Sequence, residues 1–195
     1  MITRRSFISS ISQTAALLTV GNSLLTSNTR KHPEIGVLLG TVEKEMNTDP
    51  ESTLKKIAEL GYKELEFPRT YSHPVDTLKK IIKSNGLTAL GGGENITHLT
   101  KEFAMYADEY NKMGKQYVFC YWPWFDGGLN KTIDDWKKQA GLLTKLGKQY
   151  KKEGLKLAYH NHAIEFVETE KKFPMMFYCK TPTRNTWHFR WIYGG

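Results

Sequence analysis

Gly154-Leu155-Lys156-Leu157-Ala158-Tyr159-His160-Asn161-His162-Ala163-Ile164-Glu165-Phe166 is the stretch whose reading decides the fold. A glycine ends a lysine-rich amphipathic helix, and an apolar run then reads as a buried strand. Two histidines and a glutamate follow at its far end, so the strand carries its chemistry at its C-terminal tip.

Outward from that stretch, strand and helix alternate. Ile35 to Gly40 reads as a short buried strand, and Asp49-Pro50-Glu51 supplies an N-cap, a proline at the first helical position and an acid in the first turn. The helix that follows places Leu54, Ile57, Ala58 and Leu60 on one face and stops at Gly61. Lys63 to Phe67 is a second strand and Pro74 to Asn85 a second helix. Leu87 to Leu90 is a third strand running into Gly91-Gly92-Gly93-Glu94, where the glycines read as a turn. A third helix opens at Thr97 or Thr100 and runs to Met113-Gly114; Tyr117 to Trp122 is a fourth strand and Thr132 to Lys152 a long fourth helix. Each strand-helix unit takes roughly 25 to 35 residues, the repeat of βαβ units in a parallel sheet. The expected fold is α/β, a partial (β/α)8 barrel of about the first five units, since a closed barrel needs eight. Active sites of such barrels gather where the strands end, which is where His160 falls.

Composition is that of a globular domain, 39% hydrophobic and 25% charged. The net charge of +8 suggests nucleic acid until it is located. Residues 1–30 hold Arg4, Arg5 and Arg30 with no acid, and residues 174–195 hold Lys180, Arg184 and Arg190 with none. Without these six, 22 basic residues face 20 acids, so residues 31–173 carry only +2. No nucleic-acid partner is expected of a body so nearly neutral. Cys120 lies in an apolar run and reads as core, and Cys120 with Cys179 makes neither a metal motif nor a disulfide framework.

Residues 1–30 read as an export signal, with Thr3-Arg4-Arg5-Ser6-Phe7-Ile8 ahead of a weakly apolar segment. The paired arginines resemble a twin-arginine signal, which implies a periplasmic protein that folds before export. A stable membrane anchor is not expected, because Ser, Thr, Gln and Asn interrupt a segment that would need about 20 mainly apolar residues.

From Ile35 to Glu170 the chain resembles the sugar phosphate isomerase/epimerase family, the xylose isomerase-like TIM barrels. The resemblance rests on Asp49 to Phe67, on the aromatic fourth strand, and most on Tyr159-His160-Asn161-His162 with Glu165-Phe166. It implies a small-molecule sugar substrate and, in a full-length member, a divalent metal of unspecified identity that stabilises an enediolate while carboxylates move a proton. His160 falls where those relatives place a strand-five ligand, usually a glutamate, and His162 is a second candidate ligand. Glu66 and Glu165 are the candidate catalytic carboxylates, with Glu165 alternatively orienting a histidine. Trp122, Trp124 and Glu94 are candidate substrate-binding residues, the rings suiting a sugar's C–H face. The same residues leave two alternatives: an endonuclease IV-like metal phosphodiesterase, or a non-catalytic exported carbohydrate-binding fragment.

After Phe173 the texture changes to an acid-free, aperiodic run. Neighbouring codons partly fix the codons of the frame one base upstream. Across Met175 to Cys179 that frame must read D-V-L-L, and at Trp191-Ile192 it must read D. Residues 31–172 are therefore expected to be the barrel part, and residues 173–195 an out-of-frame tail that leaves this product inactive.

Overall fold

Asp49 begins its helix as its chemistry dictates. The side chain accepts from the Ser52 N–H at 3.1 Å, and Pro50 occupies the first turn, where it sacrifices no helical hydrogen bond. Thr132 does the same for the longest helix, closing a reciprocal capping box with Asp135, a device worth about 1 kcal/mol. The computed structural model describes residues 34–127, 130–180 and 187–189. The expected export signal of residues 1–30 lies outside them. No helix among the described residues is long and apolar enough to cross a membrane.

Six parallel strands form one sheet whose spatial order is the chain order: β1 (Gly36–Leu38), β2 (Glu64–Glu66), β3 (Thr88–Asn95), β4 (Tyr117–Trp122), β5 (Lys156–Tyr159) and β6 (Trp187–Phe189). Between β1 and β2 run α1 (Glu43–Thr48) and α2 (Pro50–Glu59), and between β2 and β3 runs α3 (Val75–Ser84). The expected third helix is two, α4 (Ile96–Lys101) and α5 (Phe103–Met113), because Asn95 caps the first through the His98 N–H and the chain then restarts at Phe103. α6 (Ile133–Lys152) precedes β5, and α7 (Met175–Lys180) precedes β6. This is the expected parallel α/β arrangement of a partial barrel. The short α7 and β6 fall in the segment that the composition had marked as aperiodic. Met175 and Tyr178 of α7 are buried, with the Tyr178 ring 4.6 Å from Tyr159 and 5.8 Å from Trp136.

Two apolar layers hold the helices to the sheet. One packs Met46, Leu54, Ile57, Leu78 and Ile82 on Leu65, Phe67 and Ala89; the other packs Tyr110, Trp136, Leu143 and Tyr150 on Val118, Cys120, Leu157 and Tyr159. Each fully buried large side chain contributes roughly 1.5–3 kcal/mol. Cys120 is core as expected, its thiol pushed well above the ordinary range by burial.

The triple glycine is not a turn. Gly91, Gly92 and Gly93 lie inside β3, and none has a positive φ. They are required by close approach instead. A Cβ on Gly91 would come within 2.5 Å of Phe119 Cε2, one on Gly92 would overlap the Phe67 carbonyl, and one on Gly93 would overlap the Phe119 carbonyl. β3 is thus squeezed between its neighbours, with ladder irregularities at Leu65/Glu66 and at Glu94/Asn95.

Candidate functional site

Alternation along β4 puts Tyr117, Phe119 and Tyr121 on one face of the sheet, where they stack with centroids 6.0 and 6.5 Å apart. The same alternation sends Val118 and Cys120 to the helical layer. Tyr121, the last-but-one residue of β4, therefore lies on the face opposite the helices, and the neighbouring strand ends beside it. The His160 N–H continues the β4–β5 ladder by donating to the Cys120 carbonyl at 3.1 Å, and the His160 ring meets Tyr121 edge-on at 5.3 Å. Glu66, the last residue of β2, is 5% exposed. Burial first, then the nearby Glu66 charge, hold the Tyr121 phenol protonated well above its usual value. The strand tips thus assemble Glu66, Tyr121 and His160.

Burial, and then the neighbouring His162, push the His160 imidazole below its ordinary value. It is a neutral ring at neutral pH, able to accept a proton or bind a Lewis acid. Its Nδ1 and the Asn161 Oδ1 are buried with no hydrogen-bond partner among the described residues. The His162 ring lies 5.0 Å from His160 and 5.4 Å from Trp122, so the two histidines and Trp122 form one cluster.

Glu94 lies near this assembly, its charge adding to the rise at Tyr121, while Glu165 and Trp124 make contacts of their own. Glu165 is 0% exposed and accepts from the Tyr159 hydroxyl through Oε1 and from the His162 N–H, at 2.7 Å, through Oε2. Both carboxylate oxygens hold the turn after β5. Trp124 is 7% exposed and packs edge-on against Trp136 at 4.7 Å, with Lys131 Nζ 5.1 Å from its centroid. Glu94, near the end of β3, stands close enough to Tyr106 that its charge, after burial, helps push that phenol up to about 12.

Among the described residues, no group of three or more His, Cys, Asp and Glu side chains is placed to hold a metal ion. His160 and His162 offer two imidazoles, whereas a catalytic zinc takes about three protein ligands. The described residues do not by themselves make a metal centre. No motif in the sequence marks Tyr121. Its even spacing from Tyr117 and Phe119 along a strand, at the position the β4–β5 register brings level with His160, is the signal that identifies it.

No family model matches the chain. It is 27% identical to the inosose dehydratase of Clostridium perfringens over a region covering 63% of this chain and 47% of that one, and 26% identical to that of Clostridium botulinum over the same shares. The chain spans about half the length of the curated relatives it matches. A sugar phosphate isomerase/epimerase from Parabacteroides distasonis superposes with a TM-score of 0.65 at 19% identity, covering 84% of this chain and 66% of that one. The fold is that of part of a TIM barrel. Two further solved structures of that fold agree. A D-psicose 3-epimerase solved in the presence of D-fructose has a TM-score of 0.51 at 14% identity, covering 79% and 61% of the two chains. The IOLI protein, solved with a binding zinc atom, has a TM-score of 0.52 at 16% identity, covering 65% and 50%. In this fold, Glu66, Tyr121 and His160 are residues at strand ends, where barrel enzymes carry their chemistry.

Proposed function

We propose that the tips of β2, β4 and β5 form part of a sugar isomerase/epimerase-type site that moves a carbon-bound proton beside the carbonyl of a sugar or sugar derivative. The observation that carries this reading is the assembly of Glu66, Tyr121 and the neutral His160 on one face at the strand ends. Glu66, its charge felt by the Tyr121 phenol, is the proton-accepting carboxylate; His160 bonds a substrate hydroxyl; Trp122 covers a C–H face of the sugar. The inosose dehydratase relatives support the same first step, since loss of a neighbouring hydroxyl from an enediolate gives dehydration where return of the proton gives epimerisation. A divalent metal belongs to this site only with ligands beyond the described residues, and the zinc atom bound in the IOLI structure supports that expectation. Export through the twin-arginine-like segment makes an unphosphorylated sugar the better substrate, and the out-of-frame reading of residues 173–195 makes this product inactive.

Solvent deuterium exchange tests the function. A chain continued in the upstream-shifted frame from Phe173, given ketoses and inososes in D2O with a divalent metal, is expected to label the carbon beside the carbonyl. Glu66→Gln and His160→Ala should abolish that labelling. Undiminished labelling in both variants overturns the assignment. Sugar binding that ignores a chelator and gives no labelling selects the carbohydrate-binding alternative. A nucleotide read across the codons for residues 170–174 decides the frame independently.

A further inference from the structure

Lys115 follows α5 and is 3% exposed, a burial that an ammonium group tolerates only when it is matched. Its Nζ donates to the Phe67 carbonyl at 2.9 Å and lies 4.0 Å from the Phe67 ring centroid and 4.2 Å from that of Tyr110. Gly92 makes the room: a Cβ there would lie 2.9 Å from Nζ. The titratable groups around it are Glu66 from β2 and Glu109 and Tyr110 from α5, while β3 presents glycine. Desolvation pushes the amine down to about 7, against the raising influence of Glu109 and Glu66.

Phe67 is the residue after Glu66, and both polar atoms of its backbone are held. Its N–H donates to the Gly91 carbonyl at 3.0 Å, and its carbonyl accepts from Lys115. The residue that follows Glu66 is therefore clamped from β3 through its N–H and by a single buried amine through its carbonyl. A lysine doing no more than filling space would be replaceable by methionine of similar length, which brings no desolvation penalty.

We propose that Lys115 is a positioning residue for Glu66: through the Phe67 carbonyl and its own charge it sets how the Glu66 carboxylate is presented at the strand ends, and loss of its proton relaxes that hold. The inference rests on the reading of Glu66 as the proton-accepting carboxylate, but its test does not.

In the full 195-residue chain, labelled with 13C at glutamate Cδ and lysine Cε, the two resonances are followed by NMR from pH 5 to 10. Lys115 and Glu66 are expected to share an inflection near neutral pH. Glu66→Gln should lower the Lys115 midpoint by about half a pH unit, because a favourable charge is lost. Lys115→Met should erase the shared inflection from Glu66, and Lys115→Arg, charged throughout, should hold Glu66 at its low-pH resonance plateau. A Glu66 resonance in the unmutated chain that ignores Lys115, or a Lys115 midpoint indifferent to Glu66→Gln, overturns the proposal and leaves Lys115 a packing residue. If the coupling is present while the continued chain labels no sugar, the placement of Lys115 stands and only the reading of Glu66 as the base falls.

Discussion

Replacing Lys115 by methionine should make the protein more stable at neutral pH and remove that advantage in mild alkali. The amine releases its proton at about 7 in the fold and at 10.5 when free. At about 1.4 kcal/mol per pH unit, that gap is a penalty on the order of 5 kcal/mol, fully present below pH 7, where both states carry the proton. Between pH 7 and 10.5 the unfolded chain holds a proton that the folded chain has lost, so stability rises with pH by about 1.4 kcal/mol per unit. Near-complete burial means that solvent screening takes little from this figure. Methionine abolishes the penalty but orphans the Phe67 carbonyl, which costs about 1–3 kcal/mol. The variant should therefore be more stable by about 2–4 kcal/mol at pH 7, and no more stable than the parent by pH 9.5. Urea unfolding followed by tryptophan fluorescence, with Trp122, Trp124 and Trp136 as reporters, measures both at each pH. A difference between parent and variant that is the same at pH 7 and pH 9.5 would refute the reasoning, because it would mean that the amine is not desolvated in the fold.

Gly93→Ala should destabilise by at least about 1–3 kcal/mol in the same assay, since its Cβ overlaps the Phe119 backbone and can be accommodated only by moving a strand. Gly141→Ala is its control: on α6, with nothing within 4 Å of the new carbon, it should stabilise by up to about 1 kcal/mol. Glu165→Ala strands the Tyr159 hydroxyl and the His162 N–H and should cost about 2–4 kcal/mol, with the His162 ring resonance shifting as the turn after β5 loosens. Glu165→Gln, which keeps the volume, should cost less in both readouts.

What could be read from the sequence was whatever depends on near neighbours in the chain. The Asp49 and Thr132 caps, the stops at Gly61 and Asn85-Gly86, and the strand tip at His160 are all decided within a few residues. The triple glycine was misread because its meaning comes from other strands: Phe67, Tyr117 and Phe119 are remote in sequence, and only pairing brings their backbones against β3. Glu165 reads as chemistry because a glutamate three residues past a histidine pair resembles a ligand, whereas the fold also gives it the buried Tyr159 hydroxyl. Trp124 belonged to the helical layer for the same kind of reason, its partner Trp136 lying on α6. Lys115 was silent: a lysine after a helix-ending Gly114 looks like any solvated helix terminus until the slot over Gly92 is seen. Neither α7 nor β6 has a periodicity long enough to register, being six and three residues.

Because spatial order in the sheet repeats chain order, every strand from β2 onward docks on the one made just before it. A nascent chain leaving the ribosome can thus assemble this sheet from its N-terminal end, each new unit finding a finished template and never waiting for a distant partner. At every stage the last strand added presents a free edge, the surface most apt to be captured by another chain. The vulnerable interval in synthesis is then each pause between one strand and the next, and slow codons anywhere in that stretch, the intervening helix included, would lengthen it.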